Sequence, residues 1–75
     1  MLSMLDMSKG DIEVAKELMW RHGMTRREAI CWVVYNNGMS VKTISEREGV
    51  SEPLIFQRIN AAKRKLTKIK RDGEL

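Results

Sequence analysis

An all-α fold, one small domain of four helices with a long final helix, is what the sequence predicts. Three observations lead there. Ser or Thr stands where each helix opens, and glycine follows where the first three end. Within these segments apolar residues recur at the three- and four-residue spacing of a helix face. No stretch keeps the two-residue alternation of a half-buried strand, and no internal repeat or low-complexity linker interrupts the chain.

The first helix is expected over about residues 8–22. Ser8 opens it, and Asp11 three residues later resembles a capping box. Ile12, Ala15 and Met19 share one face, widened by Val14 and Leu18. His22 and Gly23 end it: glycine takes the left-handed position, and histidine suits the carbonyl end of the dipole, a capping role rather than a chemical one.

The second helix, about residues 25–36, has the stronger start signal. Thr25 and Glu28 stand at capping-box spacing, where each side chain satisfies the other's backbone N–H. Ala29, Ile30, Cys31, Trp32, Val33 and Val34 follow. Their β-branching suits a strand, but the cap, the length and the Asn-Asn-Gly stop favour a helix. Apolar nearly all round, it is expected at the centre of the domain.

Ser40 opens a short third helix with Val41, Ile44 and Ser45 facing inward, stopping at Gly49. Ser51 opens the fourth, with Pro53 in its first turn, where a missing N–H costs little. Nothing breaks this last helix before about residue 70.

The totals bound what such a chain can do. It has 75 residues, 43% apolar and 32% charged, with four aromatic residues. A chain this short buries only about 60% of its unfolded surface, leaving little material for a deep substrate pocket. The net charge is +4, and it is unevenly spread. Residues 58–71 hold seven basic side chains and no acid, whereas residues 6–17 hold four acids and two lysines. A basic end of this kind is the footprint expected for phosphates, against the alternative of a solvated helix face.

One cysteine, Cys31, excludes an internal disulfide, and with a single histidine it falls short of a structural zinc site. No cofactor is expected. The opening "MLSMLDM" lacks a basic region and carries Asp6, unlike a signal peptide, and no run approaches a membrane span. A cytoplasmic, nucleoid-associated protein is the expectation. No glycine-rich phosphate loop or metal cluster suggests an enzyme, and Glu46 and Glu48 read as surface charges rather than a catalytic pair.

The spacing around Gly49 is specific. Ile44 and Ser45 place a medium and a small residue on the inner face, Gly49 makes the turn, Val50 plugs the corner, and Ile55 and Ile59 anchor the next helix. That is a helix-turn-helix arrangement, over about residues 40–60. With these residues in view, the segment 24–66 resembles the helix-turn-helix shared by sigma-factor region four and the LuxR/GerE regulators. The matching positions are Thr25 to Glu28, Gly38, Ser40, Ile44, Ser45, Gly49, Val50, Ser51, Ile55 and Arg64-Lys65-Leu66. The resemblance implies a trihelical core, double-stranded DNA as partner in transcription, and action as a dimer or as an RNA polymerase-associated piece. Two positions depart from it. Glu48 stands where the family usually has leucine, so either the hinge packs less well or Glu48 has a partner. Phe56 stands where relatives often carry Lys or Arg.

If the fourth helix enters a major groove, Ser51, Glu52, Pro53, Phe56, Gln57 and Asn60 lie nearest the bases. Gln57 and Asn60 suit adenine, Glu52 suits cytosine N4, and Phe56 can pack on a thymine methyl. Phosphates call for cations and donors: Arg26, Arg27, Lys42, Thr43, Arg58, Lys63, Arg64, Lys65 and Lys68. On this reading Lys65→Ala weakens binding to all sequences alike, whereas Gln57→Ala alters preference at one base pair.

A protein partner is the competing use of the same helix. Ile55, Ile59, Ala62, Leu66 and Ile69 follow a heptad seam, whose first half serves the core. Leu66 and Ile69 lie beyond that unit. They pair with a second copy in a homodimer, or pack under Met4, Leu5 and Met7. Leu54 and Phe56 lie outside the seam as an apolar patch for RNA polymerase or another factor. A viral DNA-packaging subunit, whose small terminase carries a similar helix-turn-helix, is a further nucleic-acid alternative.

Overall fold

A computed structural model describes residues 7–74, with side chains described for residues 7–67. It contains four helices and, among the described residues, no strand: α1 Lys9–His22, α2 Arg26–Asn36, α3 Val41–Glu48 and α4 Glu52–Glu74. The all-α expectation holds, and α4 runs beyond the expected end near residue 70. None of these helices is long and apolar enough to cross a membrane.

The helix ends form where the local chemistry places them. Ser8 Oγ accepts from the Asp11 N–H at 3.2 Å, but only this half of a capping box exists. The Asp11 carboxylate accepts instead from Asn37 Nδ2 at 2.9 Å, which joins the start of α1 to the end of α2. At α2 the box is complete, with Thr25 Oγ1 accepting from Glu28 N–H and Glu28 Oε1 accepting from Thr25 N–H at 2.8 Å. Ser40 caps α3 through Thr43 N–H.

The turn after α3 is tight because Gly49 adopts φ 69°, left-handed, where a side chain would be strained. Its N–H donates to Glu46 O, and the next N–H, of Val50, donates to Ser45 O. This pair of bonds is the Schellman closure, and it satisfies carbonyls that a helix end otherwise leaves open.

α2 packs against each of the other three helices. Ala29, Ile30, Cys31, Val33 and Val34 are buried, so the central position expected for α2 is observed. Two apolar clusters meet on it. In one, Ile30, Cys31 and Val34 pack with Ile44 of α3 and Ile55 and Ile59 of α4. In the other, Ala29 and Val33 pack with Ala15 and Leu18 of α1, Met24, and Ala62 of α4. Ile44 and Ile55 are fully buried, and each contributes roughly 1.5–3 kcal/mol through removal from water. Ser45 is buried as well, and its hydroxyl donates to Lys42 O at 2.7 Å.

Three expectations about burial need correction or refinement. Val14 is 48% exposed, because it lies at the margin of the α1 face that meets α2, about 100° round the helix from the fully buried Ala15. Glu48, expected on the surface, is buried. Leu66 is half-buried against the second cluster, as is Met7, so part of its apolar surface is covered within its own chain. Ile69, Met4 and Leu5, the other members of the proposed seam and its cover, lie outside the described side chains.

Candidate nucleic-acid interface

The first half of α4 stands clear of the body on the side opposite its core residues. Ile55, Ile59 and Ala62 face inward. Pro53, Gln57, Asn60 and Arg64 recur at four-, three- and four-residue intervals on the far side, and all are exposed. Ser51, Glu52, Phe56 and Lys63 flank this row and are exposed too, with Phe56 at 48%. The six residues expected nearest the bases are therefore open to a ligand. Leu54, expected in an apolar patch with Phe56, is half-buried.

The cationic set divides into three groups. Arg27, Lys42, Lys63 and Arg64 are exposed around α4 and α3. Arg27 lies one turn before Cys31 on α2, and its charge acts to lower the pKa of that thiol. Arg26, also exposed, points elsewhere and lies with Lys16, Met19 and Trp20 around a depression beside α1. Thr43 is half-buried, and its Oγ1 accepts from Ser40 Oγ at 2.9 Å. Lys68 has no described side chain.

Arg58 and Lys65 are engaged within the chain, which removes them from the surface cations expected there. Lys65 Nζ donates to Glu28 Oε1 at 2.6 Å and to Gly23 O at 3.2 Å, linking α4 to the α1–α2 turn and the α2 cap. Burial alone acts to raise the Glu28 pKa. The hydrogen bond from Lys65, the Thr25 N–H and the lysine charge outweigh it and hold the carboxyl below the ordinary glutamate value.

Arg58 turns into the core. Its side chain is 12% exposed, with Nη1 4.0 Å from Glu48 Oε1 and 4.0 Å from Cys31 Sγ. Glu48 is 2% exposed at its side chain, and the partner of its carboxylate comes from the next helix. Its second oxygen, Oε2, has no hydrogen-bond partner among the described residues. Burial pushes the Cys31 thiol up, against the opposing influence of Arg58. Cys31 is fully buried and behaves as a core residue, not as a nucleophile.

Beside α4 an open depression of about 430 Å³ is lined by Glu28, Leu54, Gln57, Arg58, Asn60, Ala61 and Arg64. It offers amide and guanidinium groups around a small apolar floor, suited to hydrogen-bonding an edge rather than to enclosing a substrate. Among the described residues no group of His, Cys, Asp or Glu has the arrangement of a metal site.

Of the features that escaped the sequence reading, two had left a signal in it. The Glu48–Arg58 pair had a faint signal, since the two are ten positions apart across a turn whose packing brings them together. Trp20, 83% exposed, had a clearer one: it lies opposite the Ala15–Leu18 face of α1. No family model, curated protein or solved structure matches the chain.

Proposed function

We propose that the chain is a DNA-binding transcription regulator that inserts the N-terminal half of α4 into the major groove of duplex DNA. The observation that carries this reading is the exposed row Gln57, Asn60 and Arg64 on a helix held out by a glycine-closed turn. Gln57 and Asn60 offer paired donors and acceptors for adenine, and Arg64 suits guanine or a phosphate. Ser51, Glu52 and Phe56 complete the face toward the bases. Arg27, Lys42 and Lys63 supply cations at its margins. The resemblance to sigma-factor region four and the LuxR/GerE regulators supports the same role.

A second reading rests on Phe56, which exposes nearly half its ring where a phosphate-binding cation is common in that family. Here α4 grips a protein such as RNA polymerase, with Phe56 as the anchor.

Fluorescence anisotropy of a random duplex, titrated at several salt concentrations, separates the two. Neutralising about four phosphates gives a log–log salt slope of roughly −3 to −4. Absence of binding at low salt overturns the DNA reading and leaves the protein-partner reading, tested first at Phe56.

A further inference from the structure

The last turns of α1 carry the most exposed large apolar side chain of the described residues, Trp20 at 83%. Ala15 and Leu18 point into the core. Trp20 lies about 140° and 160° round the helix from them, so its indole faces away from α2 and α4. Met19 is half-buried beside it, Lys16 lies one turn earlier, and Arg26 reaches across from the start of α2. Together these four side chains border an open depression of about 520 Å³.

Its chemistry is an apolar floor with cations at the rim. Met19 and Trp20 offer thioether and indole surface, adaptable to an aliphatic or aromatic side chain. Among the described residues neither Lys16 nor Arg26 is within ion-pair distance of a carboxylate, whereas Glu17 on the other flank is occupied by Arg21 at 3.0 Å. The side chains that line the depression therefore carry only positive charge, with the exposed Glu13 lying further toward the start of α1. Because the indole points away from α4, a duplex seated on Gln57 and Asn60 does not cover it.

We propose that this depression docks an acidic segment of a partner protein, with one apolar side chain of the segment seated on Trp20 and Met19 and its carboxylates on Lys16 and Arg26. The surface is separate from α4, so the proposal does not require that α4 bind DNA.

The test follows the indole N–H resonance of Trp20 in the isotope-labelled full chain, assigned with Trp20→Phe. The probes are a short synthetic peptide in which glutamates flank a single leucine, the same peptide with glutamines, and an oligothymidylate. The expected result is a saturable shift of the Trp20 signal with the glutamate peptide, the Trp32 signal staying in place. Lys16→Glu and Arg26→Glu, both at exposed positions that tolerate substitution, each weaken it by about tenfold. No shift with the glutamate peptide overturns the proposal, as does an equal shift with the glutamine peptide. A stronger response to the oligothymidylate overturns it in favour of a nucleic-acid contact. Duplex affinity of Trp20→Ala is measured in parallel and is expected to equal that of the unaltered chain; a matching loss there removes the separation of the two surfaces and with it the proposal.

Discussion

Lys65 Nζ lies 2.6 Å from Glu28 Oε1, which joins the second half of α4 to the residue that caps α2. Glu28 thereby serves two helices at once, accepting from the Thr25 N–H at the start of its own helix and from a lysine 37 positions away. The Lys65 charge is spent on holding α4 against the body. Lys65→Met is accordingly expected to lower stability by about 1 kcal/mol, with little change in salt slope on duplex DNA. Urea denaturation and the anisotropy titration, run on the same preparation, check both halves. A salt slope reduced by a full phosphate contact assigns Lys65 to the DNA instead.

The same carboxyl gives a pH dependence. Its folded pKa is depressed, so its contribution is fully present above the ordinary glutamate value of about 4.5 and is lost as pH falls through the lower folded value. Glu28→Gln is therefore expected to reduce stability at neutral pH and to flatten the decline below about pH 4.5. Urea midpoints across that range measure it; parallel acid limbs for the two proteins contradict the assignment.

Glu48 and Arg58 form a buried pair, and such pairs are costly to break from one side. Arg58→Met alone leaves an uncompensated carboxylate and is expected to destabilise by roughly 3 kcal/mol, a large share of the stability of a small domain. Glu48→Leu with Arg58→Met replaces the pair by an apolar contact, and is expected to recover most of that loss. A double-mutant cycle in urea reads the coupling, and additive single effects exclude the pair.

On duplex DNA the two sides of α4 are expected to separate by kind of effect. Gln57→Ala costs about 1–3 kcal/mol at one base pair and leaves binding to scrambled sequence unchanged. Lys63→Ala weakens all sequences alike and lowers the salt slope by about one unit. Selection of the preferred site followed by single-base substitutions measures the first. Equal losses on selected and scrambled duplexes remove Gln57 from the reading set.

Phe56 contributes little to the core, as its exposure indicates. Phe56→Ser is expected to leave the urea midpoint almost in place, within about 0.5 kcal/mol. Its effect then falls on a ligand alone. Loss of discrimination at a thymine places Phe56 at the bases, while unchanged DNA binding points to the protein-partner reading.

The sequence by itself determined what local chemistry can determine. Ser8, Thr25 and Ser40 start helices because their side-chain oxygens satisfy backbone donors, and Gly23 and Gly49 stop them because they adopt positive φ. The apolar run from Ala29 to Val34 marked the central helix, and the spacing from Ile44 through Gly49 to Ile59 marked the paired helices and the face of α4 left outward. These signals act within a few residues of one another. Only the tertiary structure decided the partners of charged side chains, because ion pairing depends on which helix faces come together. It buried Glu48 against Arg58, drew Lys65 onto Glu28 and turned Arg26 toward Trp20. Periodicity could place each of these residues on a face; packing alone settled which face each charge would meet.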